Sequence, residues 1–173
     1  METELEHIIM TSYKEQMISF MEANPEVFEE AIELALGDSQ PYSWRAAWLL
    51  WSCIKENDTR LQKHIKKILS VIPAKKDGHQ RELIKILHIM ELDDEQEGHL
   101  FDICMTLWEQ INKSPSVRYN AFRFIVKMAK KHPELSNEVQ FLTQDHFLDT
   151  LSPGVKHSMT KMLKKFNLIL PGN

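Results

Sequence analysis

Glycine is scarce in this chain, with five residues in 173. A sheet protein of that size draws on glycine for the positive φ angles of its hairpin turns, and its strands alternate apolar with polar residues. No stretch sustains that alternation, so the pattern points away from sheet. Cysteine is scarcer still: Cys53 and Cys104 stand alone, with no CxxC spacing. That excludes a disulfide scaffold and a cysteine-rich zinc site, and both read as small core residues in a reducing compartment. No apolar run approaches the roughly 18 residues that would span a bilayer. The first residues, METELEH, are acidic where a secretory signal would be basic and then apolar. A soluble, cytoplasmic chain with no membrane contact is the expectation. HExxH, GxSxG and a glycine-rich phosphate loop are all missing. Catalysis therefore has no positive support, and no metal or cofactor is expected.

What is abundant is Leu, Ile, Met, Ala, Glu and Lys, the composition of helices. The stretch Ser43–Asn57, SWRAAWLLWSCIKEN, is apolar around nearly its whole circumference when wound as a helix, with Arg45, Ser52 and Glu56 as its polar strip. Such a helix must be covered on several sides, which predicts the centre of a core. Before it, a helix is expected over Glu2–Glu22, with a break near Thr11 or Ser12. A second runs from an Asn24 cap, with Pro25 in its first turn, to a stop at Gly37. Together residues 1–37 form an acidic N-terminal pair. After it, Asp58 caps a helix ending before Pro73, and another spans about His79–Leu92. Asp93 or Asp94 caps the next. Ser114-Pro115 and Ser152-Pro153 open two more, Pro133 opens the helix between them, and the last ends at Pro171.

The helices beginning near 43, 79, 115 and 153 align at offsets of 36, 38 and 38 residues, and four apolar columns stay in register. They are Ala47, Leu83, Ala121, Met159; Leu50, Ile86, Phe124, Met162; Trp51, Leu87, Ile125, Leu163; and Ile54, Met90, Met128, Phe166. Within each helix these are positions i, i+3, i+4 and i+7, one face of a stripe. One further helix lies between successive copies. By this period and these columns, residues 43–170 resemble the HEAT and armadillo-like repeat proteins, in which each helix pair buries its stripe by stacking on the next. The resemblance implies an all-α fold: a right-handed α-α superhelix of HEAT-like helix pairs stacked as a short solenoid. Residues 1–173 are then one domain, 1–37 a cap, and the last helix half a repeat. It also implies a non-catalytic module that presents a groove to another macromolecule, most simply a protein.

Two positions after the first apolar column, and one turn beyond, stand Lys85, Arg123, Lys127, Lys161 and Lys165. Stacked helices would line these up as a basic ladder, with Lys130, Lys131 and Lys164 nearby, suited to an acidic peptide or a phosphate backbone. The overall charge of −4 and the want of exposed aromatics beside the ladder favour a solvated face instead. Some members of this solenoid class are DNA glycosylases for alkylated bases. That reading would need Trp44, Trp48 and Trp51 as a pocket wall and Glu56 or Asp58 as the carboxylate. Spacing makes the three tryptophans core. Glu95, His99 and Asp102 share a helix face but lack a zinc pattern. Five of the nine methionines, Met90, Met105, Met128, Met159 and Met162, fall in or beside the core columns and read as fillers of an irregular core. Charge is also polarised. Residues 1–40 carry ten acids against Lys14, and residues 113–173 carry ten bases against four acids. Salt-sensitive self-association, acidic end to basic end, is the remaining expectation.

Overall fold

The computed structural model describes residues 1–166, and every regular element among them is a helix. They divide into two compact units at Asp93/Asp94.

The first unit opens with α1 (Glu4–Thr11) and α2 (Lys14–Ala23). The expected break falls at Ser12, whose backbone is extended. Each start is closed by side chain on backbone. Thr3 Oγ1 accepts from the Glu6 N–H at 3.1 Å while Glu6 Oε2 accepts from the Thr3 N–H at 2.8 Å, and Gln16 Oε1 takes the Tyr13 N–H at 3.0 Å. Asn24 does not cap the following helix as expected. Its Nδ2 donates back to the Phe20 carbonyl at 2.8 Å, so it closes α2, and a 3-10 turn over Pro25–Val27 precedes α3 (Phe28–Leu36). Gly37 ends α3, donating to Glu33 and Leu34.

α4 (Tyr42–Cys53) is the central helix, shorter than the predicted Ser43–Asn57. It packs against α1, α2 and α3, and against α6 (Asp77–His88) after α5 (Ile65–Val71). An apolar circumference is what such surroundings select. Ser43, where the stretch was expected to begin, lies within the first turn, fully buried, and its hydroxyl finds no partner among the described residues. Asn57 turns the chain with φ +50, a left-handed angle that asparagine tolerates, and donates its N–H to Ile89 O at 2.9 Å. Asp58 does cap the next turn, accepting the Arg60 N–H at 3.2 Å. That turn is 3-10 over Thr59–His64 before α5 begins. The stripe Leu61, Ile65, Ile68, Leu69 and Ile72 is buried all the same. α6 runs from Asp77 to His88, starting and ending earlier than the expected His79–Leu92.

The end of α3 is held by side chains from the α6 side. Lys75 Nζ donates to the carbonyls of Leu36 at 3.0 Å and Gly37 at 2.6 Å and pairs with Asp38. His79 Nε2 meets Ala35 O at 2.7 Å, and Gln40 Nε2 faces His79 Nδ1 at 3.2 Å. Carbonyls that a helix end leaves open are in this way satisfied.

The second unit holds α7 (Asp94–Glu109), α8 (Pro115–Lys131), α9 (Ser136–Phe141), α10 (Asp145–Leu148) and α11 (Pro153–Lys165). Ser114 and Ser152 cap α8 and α11 through the N–H groups of Val117 and Val155, as their Ser-Pro steps predict. The single helix expected from Pro133 is instead a 3-10 turn, Pro133–Leu135, then α9 and α10 separated at Leu142–Gln144. Thr143 turns its hydroxyl back to Gln140 O at 2.7 Å there, a local bond that competes with helix. The predicted stop at Pro171 lies outside the described residues. α7 and α8 form an antiparallel hairpin and α11 packs on α8.

Arg118 pins this unit. It is fully buried, with Nε on Trp108 O at 3.0 Å, Nη1 on Thr150 Oγ1 at 2.8 Å and Nη2 on Phe147 O at 2.7 Å. Its guanidinium lies 4.5 Å from the Trp108 ring, the one fully buried tryptophan.

Candidate interaction faces

The apolar columns hold in both units. Leu83, Ile86, Leu87 and Met90 are all buried in the first, and Ala121, Phe124, Ile125 and Met128 in the second. The flanking copies are looser. Ala47 and Leu50 are buried but Trp51 and Ile54 only partly so, and Met159 and Leu163 are buried while Met162 and Phe166 are half-exposed. A stripe of i, i+3, i+4 and i+7 positions therefore fixes where the charged residues beside it point.

Lys85 belongs to the first unit and is already occupied. Its Nζ donates to Glu82 Oε2 at 2.7 Å and lies 4.7 Å from the centre of the Trp51 ring. Glu82 is itself buried, and Arg81 Nε holds its other oxygen at 2.8 Å. A buried carboxylate needs both cations, so Lys85 and Arg81 neutralise a charge within their own helix.

The other four residues of the basic ladder lie in the second unit. Arg123 is half-buried on α8, 3.4 Å from Asn120 Oδ1, and Lys127 is half-buried one turn on, its Nζ 6.0 Å from the Phe124 ring. Lys161 and Lys165 are exposed on α11. The two helices meet at Phe166. Lys130 from the end of α8 lies 5.0 Å from that ring and Lys165 lies 6.0 Å from it. One aromatic ring thus gathers cations from two helices, each at a helix C-terminus, where the macrodipole favours positive charge. Lys131 turns elsewhere, to Glu97 at 2.7 Å, and this pairing raises its pKa.

The three tryptophans of α4 are not the core residues their spacing suggests. Trp44 is 39% exposed, and Trp48 and Trp51 are half-buried. Lys14 stands 5.9 Å from the Trp48 ring. Gly78 passes so close to Trp44 that a Cβ there would meet its Nε1 at 3.4 Å. Aromatic surface does stand at the face of the first unit, contrary to the expectation. The carboxylates proposed to serve it do not. Asp58 is buried with both oxygens taken by Arg60, at 2.9 Å and 2.7 Å, which holds its pKa below the usual value. Glu56 is exposed beyond the helix end.

Among the described residues no group of His, Cys, Asp and Glu could hold a metal ion, and Glu95, His99 and Asp102 are not gathered into a site. Burial pushes the Cys53 thiol up to about 11 and the Cys104 thiol higher still, so neither is a ready nucleophile. No described helix is long and apolar enough to cross a membrane. Gly98 sits inside α7 with open space around it.

No curated protein and no solved structure matches this chain. The sequence pattern of the HEAT repeat domain, in contrast, matches residues 1–166, nearly its whole length. With helix pairs, in-register apolar columns and that match in agreement, the chain belongs to the HEAT repeat domain family.

Proposed function

We propose that this is a non-catalytic protein-interaction module, working in the cytoplasm, whose second unit binds an acidic segment of another protein. The observation that supports the reading is the convergence of Lys130 and Lys165 on Phe166, with Arg123 and Lys127 on the same helix as Lys130 and Lys161 one turn before Lys165. Like charges gathered from two helices repel one another, and an anion lying among them relieves that repulsion, so the face favours acidic ligands. An acidic peptide would meet side chains spaced by one repeat, each able to take a separate carboxylate. Lys85, tied to Glu82 and Trp51, contributes to the stability of its own unit.

The test is capture from lysate at low salt, with and without nuclease, comparing the wild type with an Arg123→Glu, Lys161→Glu variant. A partner retained after nuclease, lost with the variant and released by salt is expected. Material that disappears with nuclease would assign the face to nucleic acid, and equal capture by the variant would remove the face from binding altogether.

A further inference from the structure

A second concave surface, of opposite character, lies in the same unit. Between the first half of α7 and the end of α8 a groove of about 350 Å³ opens to solvent. Its floor is apolar: Phe101 from α7, Met128 from α8 and Leu135 from the 3-10 turn beyond. Asp94, Glu97 and Asp102 stand along it from α7, with His132 at the other side. No lysine or arginine lines it.

Three features separate this groove from ordinary surface. Asp94, Glu97, Gly98, Phe101 and Asp102 recur at i, i+3, i+4, i+7 and i+8, so they share one face of α7, with Phe101 as its apolar member. That face is partly open. Gly98 occupies the centre of that face, and a Cβ built there would meet nothing within 4 Å. Glycine inside a helix costs about 0.5–1 kcal/mol relative to alanine, so a vacancy that alanine would fill without contact is a cost with no packing return. Finally, Lys131 answers Glu97 at 2.7 Å and also feels the charge of Asp94, so one lysine stands against Asp94, Glu97 and Asp102 and the rim keeps a net negative charge.

We infer that this groove is a docking site for a partner protein segment carrying a large apolar side chain flanked by lysine or arginine. The apolar residue enters over Gly98 onto Phe101, Met128 and Leu135, and the flanking cations meet Asp94 and Asp102. Charge selects the occupant. The basic face takes acidic segments, whereas this groove repels them, so the two sites stand or fall independently.

The experiment uses the full chain, isotope-labelled, titrated with the amidated peptide Ac-Lys-Leu-Arg-Lys-Leu-Lys and followed by amide chemical shifts. Shifts confined to residues 94–102 and 128–135 are expected, weakening at least several-fold as salt rises. Gly98→Leu should abolish them while raising the melting temperature or leaving it unchanged, since it fills open space on a helix. An Asp94→Asn, Asp102→Asn variant should weaken binding without unfolding the chain. Replacing both leucines of the peptide with glycine should remove binding if the floor is used. Shifts spread over the acidic residues 1–40, or a peptide indifferent to Gly98→Leu, would overturn the proposal. So would low-salt self-association of the free protein that Gly98→Leu abolishes, because the occupant would then be a second copy.

Discussion

Arg118 takes a full positive charge into the interior of the second unit, and among the described residues no carboxylate pairs with it. What meets it is a set of oxygens, the carbonyls of Trp108 and Phe147 and the hydroxyl of Thr150. Both carbonyls lie in the last turn of a helix, α7 and α10, where they lack helical partners and carry the negative end of the dipole. Burial lowers the guanidinium pKa from its ordinary value, yet arginine stays charged. Arg118→Met leaves the Trp108 and Phe147 carbonyls buried and unpaired and should cost about 3–5 kcal/mol in urea unfolding. Arg118→Lys should restore only a small part, because one ammonium cannot reproduce the fork. A loss below about 1 kcal/mol for Arg118→Met would show that water replaces the three contacts.

His79 makes the corresponding contact in the first unit, but as a ring that acid can charge. Burial pulls its pKa below the ordinary value, and the observed pairings suit a neutral ring that donates from Nε2 to Ala35 and accepts at Nδ1. The unfolded chain therefore binds a proton near pH 6.5 that the folded chain refuses until lower pH. Stability from this residue is complete above about 6.5 and falls as pH drops through 6.5 towards the folded value. Chemical denaturation at pH 7.5 and pH 5 should show the decline. His79→Gln, less stable at pH 7.5, should lose less between the two.

At the scale of the helix, three serines that look alike in sequence behave differently. Ser114 and Ser152 cap α8 and α11, and replacing either with alanine should cost about 1 kcal/mol. Ser43 is buried in the first turn of α4 with an unsatisfied hydroxyl, so Ser43→Ala should be neutral or stabilising in the same measurement. A loss of about 1 kcal/mol there would mean that Ser43 caps after all. The contrast shows what was legible. The columns through Leu83 and Ala121 were, because a 3.6-residue period leaves its mark on every turn. So were the Ser-Pro starts, which are local chemistry. The ends of α4 and the 3-10 stretch Thr59–His64 were not, since the same apolar spacing suits either winding. Trp44, Trp48 and Trp51 carried the period of a core, but period cannot say whether a neighbour reaches far enough to cover a large ring. Of the candidate site, the residue types could be named; which of them were already paired could not. Lys85 and Arg123 occupy equivalent columns, yet only Lys85 has a buried Glu82 beside it.

Across the whole chain the charge is divided by sequence position, acidic over residues 1–40 and basic from 113 onward. A basic face of the kind proposed for acidic peptides will also attract the acidic residues of another copy when nothing better is present. Such contacts join exposed groups, so they are worth little singly and fade as the screening length shrinks to about 8 Å at physiological salt. Light scattering on concentrated protein should therefore show weak association at about 0.01 M ionic strength, where screening reaches about 30 Å, and a monomer at about 0.15 M. The Arg123→Glu, Lys161→Glu variant should be monomeric at both, and Gly98→Leu should behave as the wild type. A wild type monomeric throughout would mean that the acidic N-terminal residues cannot reach or fit the face. It would also set a stricter requirement on any partner, whose acidic side chains must then match the spacing of Arg123, Lys127, Lys161 and Lys165 and not only their sign.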